Sequence, residues 1–338
     1  MIKIDRRSFL GASTGAAASL AMPHIARAQS PVVMKIGSAP INDPQHEWMR
    51  IYARHVEALS AGGIKCELYP ASQLGAIPRM IEGTQLGTVQ AWIGPPEFLT
   101  GIDARFSVLG APYVFKDTAH AQRTLQNPEF ADAYAQLGGN KGLRAIGMFA
   151  TSPALFAMRN KIDDLGGFKG RKIRVFASAW QTEPLKTLGA TAVPMSLAEV
   201  LPALQQGTLD GVMSSISQFT TLRFYDAAPF AVDLGHAEVN IVVVGSKRWY
   251  EGLAPNLQKA VDEAGRLAST EIVAPTAAFV AEQEKIWTQN KGTVLKISAT
   301  DQARLKAEFA PVAQRATQDK PAEKAMYDLL VKAAQAVA

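Results

Sequence analysis

Two hydrophobic periods alternate along this chain, and the switches between them mark its elements. VVMKIG (32–37) is apolar and β-branched, which predicts a first strand. Across 43–60, Trp48, Tyr52, Val56 and Leu59 recur at helical spacing. IKCELY (64–69) predicts a second strand, 76–86 a helix, and TVQAWIG (88–94) a third strand. LRAIGMF (143–149), KIRVF (172–176), TAVPM (191–195), NIVVVG (240–245) and TVLKIS (293–298) predict further strands. This alternation implies an α/β fold on a mostly parallel, doubly wound sheet. A helical tract runs over 255–289, where Pro275 predicts a kink, and the segment from Asp301 is helical again with a break near Pro321.

One helix carries its own start and stop signals. In SLAEVLPALQQG (196–207), Ser196 and Glu199 have the spacing of a capping box, Leu197, Val200, Leu201 and Leu204 form an apolar stripe, and Gly207 suits a left-handed terminus. Its last residues echo an earlier segment. QLGTVQ (85–90) and QQGTLD (205–210) share the form Q-x-G-T-apolar-polar, each between an apolar helix and a strand. That fits two lobes of similar design facing one cleft, since α/β sheets bind ligands at the carboxyl ends of their strands.

Composition and the N-terminus narrow the class. MIKIDRRSFLGASTGAAASLAMPHIARAQS has a charged start, an apolar middle and a small-residue Ala26-Arg27-Ala28 ending, the pattern of an export signal cleaved after Ala28. The apolar run 10–22 is too short to span a bilayer. Arg6-Arg7 before Ser8-Phe9-Leu10 predicts the twin-arginine route, and Gly11-Ala-Ser-Thr-Gly15 in this segment is a false nucleophile elbow. Lys3, Arg6, Arg7 and Arg27 less Asp5 supply +3 of the net +5, so the rest of the chain carries about +2. That balance speaks against nucleic acid as a partner. A single cysteine, Cys66, excludes an internal disulfide and a multi-cysteine metal site, and its alternation with Ile64 and Leu68 reads as strand core. The sequence has no H-E-x-x-H, no G-x-G-x-x-G and no P-loop, and its five histidines are scattered.

Arg174 stands out, a guanidinium inside the apolar strand KIRVF. Read alone, it is an outward-facing residue whose stem lies along the sheet. ELYPASQLG (67–75), GAPYVF (110–115), GFKGRKIRV (167–175) and LGATAVPMSLAEVLPALQQGTLDG (188–211) change that reading. In their order and spacing the chain resembles the solute-binding proteins of tripartite ATP-independent periplasmic (TRAP) transporters. The resemblance implies a two-lobed periplasmic binding protein fold (type II-like), with the ligand cleft between the lobes and a long kinked helix spanning both. The expected division is 30–150 with about 261–300 for one lobe and 151–260 with about 301–338 for the other. It further implies a periplasmic protein without cofactor or catalysis, which captures a small organic acid and delivers it to membrane permease subunits.

In the family's K-[IL]-R-V motif the arginine grips the ligand carboxylate, and here that position is Arg174. Two parallel hydrogen bonds from a planar guanidinium suit that task. By the same resemblance Trp92, before the Gly94-Pro95-Pro96 loop, and Phe149, Phe176, Trp180 and Leu197 are expected to line the cleft. Ser214, Ser215 and Gln218 are expected to hydrogen-bond the ligand, and His46 to lie in the first strand-to-helix turn on the ligand side. Two departures appear. The second arginine of many relatives falls near Pro153 or Ala154, and Gly235 replaces the asparagine expected before His236. The first favours a monocarboxylate with an apolar or aromatic tail. The readings that compete are an exported cofactor-dependent enzyme and a binding protein that serves a sensor.

Overall fold

The computed structural model describes residues 30–176 and 178–338; the signal expected over 1–28 lies outside them. Nine strands are present among the described residues: β1 (Val32–Ser38), β2 (Ile64–Tyr69), β3 (Ala91–Gly94), β4 (Leu143–Met158), β5 (Lys172–Val175), β6 (Thr191–Pro194), β7 (Gly211–Ser214), β8 (Phe230–Ser246) and β9 (Thr293–Lys296). They form one sheet in the order β2-β1-β3-β8-β4-β7-β5-β6, with β9 also beside β8. The helices that matter for the site are α1 (Pro44–Leu59), α2 (Ile77–Leu86), α3 (Leu197–Gln206), α4 (Ile216–Thr221), α5 (Pro255–Glu271), α6 (Val273–Gln289) and α7 (Pro321–Ala336).

The expectation of a mostly parallel sheet needs correction. Pairing is parallel in the two flanks, β2-β1-β3 and β7-β5-β6, but antiparallel through the centre. The centre is the long pair β4 and β8, which runs from one flank into the other. The C-terminal half of β8 pairs with β3 and its N-terminal half with β9, while the C-terminal half of β4 pairs with β7. Register shifts interrupt this pair at Ala145/Gly147, Ala150/Ser152 and Pro153/Leu155. At the last of them Pro153 faces Glu238 while Leu155 faces Asp233, so residues 234–237 swell out of β8. Such bulges bend a strand and increase its local twist. The polar Thr151-Ser152-Pro153 therefore marks a bend inside a strand, where sequence periodicity suggests a strand end.

The shared Q-x-G-T motif has a structural cause. α2 and α3 end at Gly87 (φ 82°) and Gly207 (φ 75°), left-handed positions that favour glycine. The next residue closes each cap in the same way. Thr88 donates its N–H and hydroxyl to the Gly83 carbonyl, and Thr208 donates both to the Ala203 carbonyl. The two flanks thus use one device to turn a helix into the strand that bears pocket residues. The Ser196–Glu199 capping box at the start of α3 also forms. Val200 and Leu204 are buried as expected, whereas Leu197 and Leu201 are half-buried.

The tract over 255–289 is two helices that meet at Ile272. Pro275 lacks the N–H that would bond the Glu271 carbonyl, and its ring crowds that carbonyl, so the break falls three residues before the proline. Residues of α5 pack on α1 and β4, and those of α6 on α4 and β4. Cys66 is only partly buried, on β2 at the sheet edge.

Candidate functional site

A pocket lies where the two flanks meet, enclosing about 530 Å³ of space that includes the solvent at its mouth. One wall comes from the ends of β1 and β3 and the start of α1: Ala39, Pro40, Asp43, Pro44, Gln45, Trp92, Ile93, Gly94, Pro95, with Ile77 and Phe98. The other comes from the ends of β5 and β7 with α3 and α4: Arg174, Phe176, Leu197, Ser214, Ser215, Ser217 and Gln218. Thr151, Val239 and Ile241 of the bulged central pair complete it. Its polar residues therefore gather at the carboxyl ends of strands, where α/β sheets place their ligands. Among the described residues no helix is long and apolar enough to cross a membrane, and no group of three or more His, Cys, Asp or Glu could hold a metal.

Arg174 is 1% exposed. Its Nε donates to the Met195 carbonyl at 2.9 Å and its Nη1 to the Met213 carbonyl at 3.3 Å. Both acceptors lie on its own flank. The guanidinium carbon stands 4.9 Å from the Phe176 ring centre and 5.9 Å from that of Phe98, a cation beside two neighbouring aromatic rings. Burial pulls its pKa down to about 9, partly opposed by Glu97. Arg174 stays charged at neutral pH, held by neutral carbonyls and ring faces.

Glu97, in the short helical turn Pro96–Leu99, is the nearest thing to a counter-ion. It is 4% exposed, and burial raises its pKa to about 8 although Arg174 favours ionisation. It is thus mainly protonated at pH 7, and its Oε2 has no hydrogen-bond partner among the described residues.

Asp43 is the N-cap of α1. It accepts the His46 N–H on Oδ1 at 3.0 Å and the Gln218 side-chain N–H on Oδ2 at 2.8 Å. The second bond crosses the cleft, from α4 on one flank to α1 on the other. Burial lifts the Asp43 pKa to about 6, against the lowering effect of these donors. Around it stand polar atoms with no partner among the described residues: Gln45 Oε1, Trp92 Nε1, Ser217 Oγ and Gln218 Oε1, all on residues that line the pocket. Gly94 gives the indole of Trp92 its space, because a Cβ there would collide with the ring.

Of the residues expected at the site, the structure brings Arg174, Trp92, Phe176, Leu197, Ser214, Ser215 and Gln218 to this pocket. Three expectations are corrected. Phe149 is fully buried in β4 opposite Ile241, as core. Trp180 stacks on Tyr327 of α7, ring centres 5.2 Å apart, and borders a smaller neighbouring cavity together with Ala154, Met213 and His236. His46 turns back into its own loop, where Nδ1 accepts the Asn42 N–H at 3.2 Å. Asp43, Gln45, Phe98 and Ser217 reach the pocket without having been expected there. Asp43 and Gln45 flank Pro44 in the same strand-to-helix turn that pointed to His46, so the turn was legible and the residue within it was not.

Comparison with known proteins follows the same lines. A sequence profile described as bacterial extracellular solute-binding protein, family 7 (DctP), matches residues 37–319. The 2,3-diketo-L-gulonate-binding periplasmic protein YiaO of Escherichia coli is 29% identical over 220 residues, which are 65% of this chain and 67% of that protein. The C4-dicarboxylate-binding periplasmic protein DctP of Rhodobacter capsulatus is 27% identical over 266 residues, 76% of this chain and 78% of its own. A TRAP periplasmic solute-binding protein from Desulfovibrio salexigens, solved with bound orotic acid, superposes with a TM-score of 0.85 at 22% identity, covering 90% of this chain and 99% of that one.

Proposed function

The chain belongs to family 7 of the bacterial extracellular solute-binding proteins, and on that premise we propose that it captures a small organic monocarboxylate and delivers it to the membrane subunits of a TRAP-type transporter. The observation that carries the ligand class is Arg174, a buried guanidinium that lines the pocket and whose hydrogen bonds go to neutral carbonyls. A ligand carboxylate supplies the missing countercharge. It gains more there than in water, because the surroundings are apolar. Trp92, Phe98, Phe176, Leu197 and Ile241 face the remainder of the solute, which suits an apolar or aromatic tail. The second arginine that the resemblance leads one to expect falls near Pro153 or Ala154, neither of which offers a cation to a second carboxylate.

In this reading the lobes divide at the bulges of β4 and β8. The C-terminal half of β8 then goes with β1–β3, and β9 with the opposite flank, because each is paired there. Closure bends the central pair and brings Asp43 to Gln218. The protein acts in the periplasm after removal of residues 1–28. It acts by binding, with the chemistry of transport left to the permease.

The test is a thermal-shift screen of residues 29–338 against aromatic and aliphatic monocarboxylates, C4 dicarboxylates, sugar acids and 2-oxo acids. A ligand at a hundred times its dissociation constant adds about 2.7 kcal/mol of stability. Hits confined to monocarboxylates are expected. Hits confined to dicarboxylates refute the ligand class and leave the transport role, whereas a copurified coloured cofactor refutes both.

A further inference from the structure

The pocket has a second pole, opposite in sign to Arg174. Asp43 lines it from the first flank, whereas Arg174 lines it from the second, and Asp43 is 4% exposed. As an ordinary N-cap it would need only the bond from the His46 N–H. Its other oxygen is aligned by Gln218 from across the cleft. That bond also fixes the Gln218 amide, since a carboxylate accepts only from the N–H side and Oε1 is left as a free acceptor. Gln45 Oε1 is a second acceptor without a partner. Three acceptors are therefore carried by residues that line one pocket, two of them with no partner among the described residues.

We infer that the solute is a zwitterion, with a carboxylate on Arg174 and an ammonium group held by Asp43, Gln45 and Gln218. The inference rests on the proposed function above and specifies its ligand. An ammonium has three donors and no acceptor, which matches three acceptors; a hydroxyl has one donor and answers only one of them. Charge leads to the same place. With Glu97 mainly protonated, the pocket holds one cation and one anion at neutral pH. A simple carboxylate satisfies Arg174 but leaves Asp43 buried without a countercharge and adds a second negative group to the site. A zwitterion answers both poles.

Isothermal titration against matched sets decides the question: phenylalanine, 3-phenylpropanoate and 2-hydroxy-3-phenylpropanoate, and likewise leucine, 4-methylpentanoate and its 2-hydroxy acid. In each set the amino acid is expected to bind at least about tenfold more tightly than its two analogues, and Asp43→Asn is expected to remove that gap. Asp43→Ser, which keeps a capping oxygen, serves the same purpose should the Asn variant fold poorly. The inference is overturned if the des-amino or hydroxy acids bind as tightly as the amino acids, or if both Asp43 variants weaken all members of a set alike. Binding of acids that depends on Arg174 without any preference for the amine sinks this inference alone. Failure of every acid to bind, or binding indifferent to Arg174→Met, sinks the carboxylate reading as well.

Discussion

Replacing Arg174 with Met separates anchoring from closure. The guanidinium's two carbonyl bonds, to Met195 and Met213, lie within its own flank and hold it in place whether the cleft is open or closed. What closure adds is loss of water. Burial takes the pKa from 12.5 to about 9, so shielding the charged form costs up to about 5 kcal/mol at 1.36 kcal/mol per pH unit. A ligand carboxylate offsets that through two charge-assisted bonds worth about 1.5–3 kcal/mol each. Two consequences follow for the variant. Its affinity for the ligand should fall by about 3 kcal/mol or more, beyond a hundredfold in Kd. Its empty cleft should close more readily, because methionine has no charge to desolvate. Even a third of the cost, about 1.5 kcal/mol, changes the closed-to-open ratio about tenfold. Titration calorimetry reads the first effect. Small-angle scattering reads the second: the wild type should contract on adding ligand, while ligand-free Arg174→Met should already be contracted. Unchanged affinity, or a ligand-free variant as expanded as the wild type, would refute the reasoning.

Further expectations concern other parts of the fold. Glu97 binds its proton more tightly when folded, with a pKa of about 8 against an ordinary 4.5. The native state thus holds the extra proton, and stability should fall as pH rises from about 4.5 to 8. Glu97→Gln should remove that part of the slope in urea titrations at pH 5.5 and 8.5, and an unaltered slope would exclude Glu97 as its source. Gln218→Ala deletes a charge-assisted bond across the cleft; ligand affinity should drop by about 1.5–3 kcal/mol with little change in the urea midpoint of the ligand-free protein. Gly87→Ala and Gly207→Ala each force a side chain into the left-handed region. Each should lose about 1–2 kcal/mol of stability and leave affinity alone, and a stabilised variant at either position would contradict the cap geometry.

Arg174 was legible because its neighbours made it anomalous: a lone cation in KIRVF needs a partner, and a family motif supplied one. Ser214, Ser215 and Gln218 followed from the same resemblance, as the polar residues just after Asp210-Gly211. Asp43 escaped notice for the opposite reason. An aspartate before a helix is the commonest of caps, and only the fold shows its second oxygen meeting α4. Phe149 and Trp180 were taken for the pocket because aromatic residues at strand and helix ends read alike whether they face a ligand or the core. His46 shares its turn with two pocket residues, and one-residue differences in direction within a turn leave no periodic trace. The length of β4 and β8 was hidden by their bulges, since Thr151-Ser152-Pro153 and Gly235 resemble the ends of strands. The flanks, where strands are short and helices strongly periodic, matched expectation closely.

The crossing strands also set an order of events in folding. β3 bears Trp92, yet one of its two neighbours is the C-terminal half of β8: Ala91 pairs with Gly245 and Gly94 with Val242. The first flank therefore keeps an unpaired, wholly apolar edge until most of the chain has been made. Long-range pairing of this kind slows folding and leaves intermediates with sticky edges. A fragment that stops before β8 should aggregate rather than fold as a lobe. The protein depends on remaining unfolded, or on being guarded, until residue 246 has emerged.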